Sequence, residues 1–349
     1  MIYLGNRTLG DARDTLSLYR RRMKARLAAS EPLYLEIAPR IGWRLQASCR
    51  HPKWPYTTDA LGNRSSAPED YAAASTCRIA IAGNSYVHCD EAPDHETWVW
   101  LLQQHLGHDF RVHNLGVTGY STDQSFLRLE EFVETQPVDV AVLTVTTTDI
   151  YRNLNMCRAF ILNDFEVPLY KPRYVTRGGG LELKTPPAVT LDTLCDCLDD
   201  PNNIAEFRAH DVFFPTAGRQ AIQIMRRFRA PLPDVWQRNF ADGVEMTGRI
   251  CEHFIDWCLE RRIAPVLLLL PVYWGAFLAG REFDLIRARF DAKVPVIDAR
   301  EVFTPERLAM PRSALAYRFN HFTAEVSGWL ASHIGDRLRQ TAARAVEAA

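Results

Sequence analysis

The stretch RIAIAGNS, residues 78–85, contains the first clear β-strand of this sequence. Its apolar residues do not alternate with polar ones, which is typical of a strand that is buried on both faces of a parallel sheet. Gly83 ends the strand, and Ser85 then follows at the carboxyl edge, where α/β sheets bind ligands. Asn84 and Ser85 are also common turn and helix-capping residues, and taken alone the three residues favour that structural role.

Predicted strands and helices alternate from this stretch onward. Further strands are predicted at 110–114, 138–145, 265–271 and 294–298, and helices at 95–106, 122–134, 245–262, 281–290 and 323–345. Strands that are separated by helices indicate parallel βαβ units with right-handed crossovers. The sequence therefore predicts a doubly wound parallel α/β sheet over residues 76–349.

Two segments do not follow this alternation. Residues 1–75 form a predicted leader, with a basic amphipathic helix at 11–29 and an irregular part at 32–74 that is rich in Pro, Gly and Trp. Residues 151–244 contain no βα unit and are too long for a simple connection, so we expect a cap-like insertion that selects the substrate.

Composition excludes several classes of protein. Of 349 residues, 47% are hydrophobic, and 41 basic against 42 acidic residues leave a net charge of -1. This balance creates no overall electrostatic field that would attract nucleic acid or an anionic membrane surface. The apolar stretch PVLLLLPV at 265–272 is too short to span a bilayer. With no evident signal sequence and scattered cysteines, we expect a cytoplasmic protein with reduced thiols. Cys195 and Cys197 alone are weak evidence for metal, so no metal or cofactor is expected.

Four polar segments follow predicted strand ends or open the last helix. They are Gly83-Asn84-Ser85, residues 114–119, residues 146–149 and Asn320-His321. In this order the chain resembles the SGNH, or GDSL-like, hydrolase superfamily, and GWRL at 42–45 and TTDALGNR at 57–64 also match it. The resemblance covers about residues 40–155 and 294–331, and it implies an SGNH-hydrolase-like, flavodoxin-like three-layer fold.

The resemblance also implies roles for three residues. Ser85 would be the nucleophile, the backbone N–H groups of Ser85 and Gly119 would form part of the oxyanion hole, and His321 would be the general base. The chemistry is consistent with this, because a serine hydroxyl needs an imidazole to take its proton and a tetrahedral intermediate needs fixed donors.

The chain departs from the family pattern at three places. Asn84 stands where the family has aspartate, and Thr148 stands where it has the asparagine of the oxyanion hole. The aspartate that usually precedes the histidine by two or three residues is missing, since Arg318 and Phe319 occupy those positions. Asp298 is the preferred replacement because a carboxylate stabilises positive charge, and Asn320 is the alternative.

Several acidic and polar residues after Ser85 are assigned structural roles. His88 and Cys89 are interpreted as helix-entry or pocket-wall residues, because no metal-ligand spacing surrounds them. Asp90, Glu91 and Asp94 are interpreted as complements to the N-terminus of the following helix.

The sequence thus predicts a serine enzyme that hydrolyses an ester or thioester, or transfers its acyl group, through an acyl-enzyme on Ser85. The substrate would be a small or carrier-bound acyl compound, with an acyl carrier as a partner and no nucleic acid or membrane partner. One alternative is a non-catalytic SGNH-fold binding protein, which the altered motifs favour. Another is a scaffold that docks a carrier protein through the helix at 11–29.

Overall fold

The computed structural model describes residues 34–51, 53–68, 75–158, 170–187, 189–190, 193–194, 196–213, 234–273, 277–278 and 280–347, together with Arg21 and Ala25. Apart from those two residues, the predicted helix at 11–29 lies outside this part of the chain, as does Cys195. The chain forms two compact units, one of Met1–Arg44 with Ile150–Met246 and one of Leu45–Asp149 with Thr247–Ala349.

A five-stranded parallel sheet is the centre of the second unit. Its strands are β1 Cys77–Ala82, β2 Phe110–Asn114, β3 Val140–Val145, β4 Ala264–Leu269 and β5 Val296–Asp298. They pair in the order β2-β1-β3-β4-β5, and every pair is parallel. This order is that of the doubly wound, flavodoxin-like sheets. The predicted fold class is therefore confirmed.

In the part of the chain that the structure describes, six helices accompany the sheet. They are α1 Ser85–His88, α2 Trp98–Leu106, α3 Thr122–Val133, α4 Asp234–Glu260, α5 Arg281–Phe290 and α6 Ala324–Glu347. Helix α2 begins three residues later than predicted, because the Thr97 side chain caps it by accepting a hydrogen bond from Trp100 N, and Asp94–Glu96 forms a 3₁₀ turn before it. Further helical segments of four residues each are Asp149–Arg152, Ala299–Val302, Pro305–Leu308 and Arg312–Leu315.

Apolar residues of the strands pack against helices on both faces of the sheet. On one face, Ile79 and Val142 belong to a buried cluster with Leu102 of α2 and Leu330 of α6. Outside that cluster, Phe126 of α3 packs edge-on against the Phe254 and Trp257 rings of α4. The result is a helix, sheet, helix arrangement in which the carboxyl ends of all five strands meet at one edge.

The remaining described elements are short. Leu35–Ala38 and Gly42–Leu45 form a two-stranded sheet, and Val272–Tyr273 pairs with Phe277–Leu278 in another. Within the segment predicted as an insertion, Arg173–Arg177 and Gly180–Lys184 form an antiparallel hairpin, followed by a 3₁₀ turn at Cys197–Asp199 and a helix at Pro201–His210. The cap-like role of residues 151–244 stays a prediction.

None of the helices in the described ranges is long and apolar enough to cross a membrane. Seven cysteines in those ranges are free thiols, and all but Cys49 are buried. Burial raises the pKa of the Cys89 and Cys251 thiols to about 12. Since the thiolate is the reactive form, these thiols are poor nucleophiles. Cys89 is fully buried and is the C-cap of α1, and its interpretation as a helix-entry or pocket-wall residue stays a prediction.

The half-buried His113 of β2 makes the stability of the fold depend on pH. Burial, aided by the charge of Arg111, lowers the pKa of His113 to about 4, whereas an unfolded histidine titrates near 6.5. Between these values the unfolded chain binds a proton that the folded chain does not. We therefore expect the free energy of unfolding to fall by about 1.4 kcal/mol per unit as the pH drops from 6.5 towards 4.

Urea unfolding at a series of pH values measures this effect. His113→Phe keeps the ring contact with Phe132, whose centroid lies 4.9 Å from that of His113. This variant should reduce the dependence of the free energy of unfolding on pH. Replacement of the exposed His95 by alanine should leave that dependence unchanged. A slope that His113→Phe leaves unchanged would show that another group is responsible.

Candidate active site

Ser85 is the first residue of α1 and follows the carboxyl end of β1, an inner strand of the sheet. The chain turns tightly here because Gly83 packs so closely that an added Cβ would lie 2.3 Å from Val87 Cγ2. Asn84 is the N-cap of α1, and its Oδ1 accepts a hydrogen bond from Tyr86 N at 2.9 Å. The capping role considered for this segment thus belongs to Asn84. Ser85 Oγ makes no hydrogen bond to any described residue, so its hydroxyl is not used for capping.

Gly119 lies in the loop that follows β2, beside the end of β1. Val117 N donates to Gly83 O at 3.1 Å, which holds this loop against the turn before Ser85. Gly119 has a φ of 83°, in the left-handed region that favours glycine. Neither its N–H nor that of Ser85 donates a hydrogen bond within the described ranges. Both donors are therefore available to an oxyanion.

Thr148 belongs to a buried polar network at the end of β3. Asn84 Nδ2 donates to Thr146 Oγ1 at 2.8 Å and to Asp149 Oδ1 at 2.9 Å, and Thr146 N donates to Asp149 Oδ2 at 2.8 Å. The hydroxyls of Thr146 and Thr148 lie 2.8 Å apart. Because Thr146 already accepts from Asn84, it can donate its own proton to Thr148, which leaves the Thr148 proton free for a ligand.

The same network explains why residue 84 is an amide. Asn84 Nδ2 supplies the hydrogens that the Asp149 carboxylate and the Thr146 hydroxyl accept. An aspartate at this position would bring a second carboxylate to within hydrogen-bond distance of Asp149, and two such like charges repel strongly in a buried site. The amide of Asn84 is thus matched to its buried neighbours in this chain.

His321 is held by Glu91, which comes from the loop after α1. Glu91 Oε2 lies 3.1 Å from His321 Nδ1 and accepts from His321 N at 3.3 Å, while Oε1 accepts from Phe319 N at 2.8 Å. Since an ionised carboxylate only accepts, this contact places the proton of the neutral imidazole on Nδ1 and leaves Nε2 as the basic nitrogen. This is the arrangement that a general base needs.

Asp298 does not orient His321, which corrects the preference for it. Its carboxylate accepts hydrogen bonds from Arg300 Nε at 3.0 Å, Arg300 Nη2 at 2.6 Å and Arg287 Nη1 at 3.4 Å. Although burial alone raises the pKa of Asp298, the hydrogen bonds and charges of these arginines lower it below its usual value. Its interactions are therefore with Arg300 and Arg287 at the end of β5.

Asn320 does not orient the imidazole either. Its Oδ1 accepts from Arg312 Nη2 at 2.9 Å, and its φ of 75° turns the chain just before His321. Asparagine tolerates this left-handed conformation better than most residues do. Its role is to shape the backbone that presents His321.

Ser85, Gly119 and His321 come together at one edge of the sheet, although Ser85 and His321 are not directly hydrogen-bonded. The ring of Tyr86, next to Ser85, lies edge-on to the His321 ring with centroids 5.4 Å apart. Asp90 connects His321 to the Gly119 loop, because its Oδ1 accepts from Thr118 Oγ1 and its Oδ2 lies 3.6 Å from His321 Nε2. Hydrogen bonds between catalytic groups are often long without a bound substrate.

The buried guanidinium of Arg64 shapes the loop that carries Asp90 and Glu91. Arg64 Nη1 donates to His88 O at 2.8 Å and Cys89 O at 2.9 Å, Nη2 donates to Ala92 O at 2.6 Å, and Nε donates to Asp94 Oδ1 at 3.0 Å. Although burial lowers the pKa of this arginine, the opposing charge of Asp94 favours the cation. Arg64 therefore fixes the backbone of this loop as a positioning residue.

Sequence reasoning missed the roles of Arg64, Asp90 and Glu91. It assigned the two acidic residues to the start of the next helix, but α2 begins only at Trp98, after Pro93 and a 3₁₀ turn. The one available signal was Arg64 in the segment TTDALGNR, which resembles the superfamily. An arginine in such a segment can be buried and bind backbone carbonyls through its several N–H donors.

Comparison with known proteins gives likeness at the level of structure. No family model and no curated protein sequence matches the chain. Similar solved structures include a GDSL-like lipase from Bacteroides thetaiotaomicron, with 12% identity, a TM-score of 0.38, and 79% of this chain and 95% of that chain covered. A catalytic mutant of an acetylxylan esterase from Geobacillus stearothermophilus has 12% identity, a TM-score of 0.40, and coverages of 76% and 94%.

A member of the lipolytic G-D-S-L family from Veillonella parvula is similar too, with 10% identity, a TM-score of 0.36, and coverages of 74% and 95%. The parallel strand order of the sheet is what confirms the fold class.

Proposed function

We propose that this chain is a serine-dependent hydrolase of esters or thioesters, with Ser85 as nucleophile and His321 as general base. The observation that carries the proposal is the environment of His321. Its Nδ1 is held by the Glu91 carboxylate, which leaves Nε2 as the basic atom at the sheet edge where the unbonded Ser85 hydroxyl lies. A histidine that merely packs in the core does not need a buried carboxylate on Nδ1 beside a free serine.

The first half of the reaction forms the acyl-enzyme. Ser85 Oγ bonds to the acyl carbon, its proton moves to His321 Nε2, and the electron pair of the carbonyl moves to oxygen. The N–H groups of Ser85 and Gly119 and the Thr148 hydroxyl donate to this oxygen. When the carbonyl re-forms, the bond to the alcohol or thiol breaks, and that leaving group takes the proton from Nε2.

The second half depends on which nucleophile reaches the acyl-enzyme. With water the chain is a hydrolase, and with another hydroxyl, thiol or amine it is an acyltransferase. His321 acts as the base in either case. The acyl donor is a small or carrier-bound ester or thioester in this proposal, and analysis of the products in the presence of candidate acceptors separates the two outcomes.

The alternative of a non-catalytic binding protein rested on the missing aspartate and on Thr148 in place of asparagine. Glu91 supplies a carboxylate to His321 from a different part of the chain, and Thr148 can supply a donor. Both departures are thus compatible with catalysis.

Labelling with a fluorophosphonate, followed by peptide mass spectrometry, tests the proposal without knowledge of the substrate. Such probes phosphonylate a serine only when it is activated as a nucleophile. We expect modification at Ser85 and none in the His321→Ala variant. Absence of label on the parent protein, or label confined to another serine, would refute the assignment.

Thr148→Val should slow acyl-enzyme formation while keeping the shape of the side chain. Losing one oxyanion donor typically costs about 3 kcal/mol in the transition state, roughly a hundredfold in rate. Stopped-flow acylation by an activated ester measures this. The neighbouring Thr147→Val is a matched control, because the buried Thr147 Oγ1 has no hydrogen-bond partner in the described ranges. Equal rates for the parent and Thr148→Val would leave Thr148 with a structural role only.

A further inference from the structure

We propose that Asp90 is a second carboxylate partner of His321, which stabilises the imidazolium from its Nε2 side while Glu91 holds Nδ1. This inference rests on the proposed function, in which His321 accepts the proton of Ser85. Asp90 is a positioning residue in this scheme, because it acts on the substrate only through His321.

The geometry places His321 between two acidic side chains. Asp90 Oδ2 lies 3.6 Å from Nε2, and Glu91 Oε2 lies 3.1 Å from Nδ1. The Asp90 distance is too long for a hydrogen bond but within the range of an ion pair. Both partners are mostly buried, with side-chain exposures of 14% for Asp90 and 9% for His321, so solvent screens their attraction weakly.

Two neighbours hold Asp90 in place and keep it ionised. His88 Nδ1 lies 3.0 Å from Asp90 Oδ1, and Thr118 Oγ1 donates to the same oxygen. His88 is fully buried, which lowers its pKa and favours the neutral ring with a proton on Nδ1. Its Nε2 has no hydrogen-bond partner among the described residues, so the ring's polar contacts lie on the Nδ1 side, where Arg64 Nη1 also approaches at 3.5 Å.

Asp90 stabilises charge without competing for the proton. Burial alone raises the pKa of Asp90, but His88, His321 and Thr118 outweigh it and hold that pKa well below its usual range. Arg64 and Glu91 are the other charged groups of this cluster. A carboxylate of such low basicity does not take the Nε2 proton, which remains available for the leaving group.

The rate of fluorophosphonate labelling at Ser85, measured against pH, tests the inference. Asp90→Asn removes a negative charge beside His321 and makes the imidazolium of His321 less stable. The unprotonated, basic form of His321 therefore persists to lower pH. We expect the acid limb of the rate profile to move down by about one pH unit, as is typical for loss of an opposite charge within 6 Å. The limiting rate at high pH should fall about tenfold, because the transition state loses the same stabilisation.

Two further variants make the result specific. Thr118→Val retains the carboxylate but removes one of its hydrogen bonds, and it should move the limb in the same direction by less. Asp139→Asn removes a carboxylate at the opposite, amino end of β3, where it accepts hydrogen bonds from Arg78, and it should leave the limb in place. Thermal unfolding of each variant reports whether it folds. If Asp90→Asn does not fold, the shift of the acid limb in Thr118→Val tests the inference instead.

Each outcome has a distinct meaning. A parent protein that is not labelled at Ser85 refutes the proposed function and this inference with it. A labelled parent whose profile coincides with that of Asp90→Asn refutes only the role of Asp90. A slower Asp90→Asn with an unmoved acid limb also overturns the inference, because general structural damage lowers the rate without shifting the limb.

Discussion

Ser85→Ala should abolish acyl-enzyme formation and leave the melting temperature within about 2 °C of the parent value. Loss of a serine nucleophile typically costs on the order of a millionfold in turnover, because no other group forms the covalent intermediate. The stability should hardly change, since Ser85 Oγ makes no hydrogen bond to a described residue and its removal leaves no partner unsatisfied. Burst kinetics with an activated ester and a thermal melt provide the two measurements.

Ser327→Ala is the matched control for this experiment. Ser327 is fully buried in α6, and its Oγ also lacks a hydrogen-bond partner in the part of the chain that the structure describes. Its replacement should preserve both the burst and the melting temperature. A Ser85→Ala protein that still showed a burst would exclude Ser85 as the nucleophile and point to a different group.

Glu91→Gln should lower the acylation rate by roughly a thousandfold to ten-thousandfold, the loss typical of replacing the carboxylate of a serine-histidine site by an amide. Glutamine has nearly the same size, and its oxygen can still accept from the backbone N–H of Phe319. However, its NH₂ group can donate to Nδ1, which favours the tautomer with the proton on Nε2. That tautomer cannot accept the proton of Ser85.

Asp298→Asn is the contrasting variant for Glu91→Gln. Asp298 pairs with Arg300 and Arg287, so its replacement should lower the free energy of unfolding and leave the acylation rate near that of the parent. Stopped-flow acylation and urea unfolding on both variants separate the two roles. The opposite pattern, with a slow Asp298→Asn and an unaffected Glu91→Gln, would restore Asp298 as the partner of His321.

Much of the fold could be predicted from local patterns. The apolar stretch at 78–82 and the later predicted strands are short and uniformly apolar, which is typical of buried parallel strands. The helices between these strands require right-handed crossover connections. Parallel strands bring their carboxyl ends to one edge, so the placement of Ser85 and Gly119 near each other followed from topology. The flavodoxin-like order then agreed with the family resemblance.

The sequence by itself therefore determined the α/β sheet, its edge, and the candidate positions of Ser85, Gly119 and His321. Only the tertiary structure decided that Glu91 partners His321, that Asp298 pairs with arginines, and that Asp90 faces Nε2. Strand and helix signals are local and periodic, whereas the pairing of Glu91 with His321 joins loops 230 residues apart in sequence. The loop that carries Glu91 is shaped by a buried arginine bound to backbone carbonyls, and every residue has a carbonyl, so no pattern of side chains reveals which ones it binds.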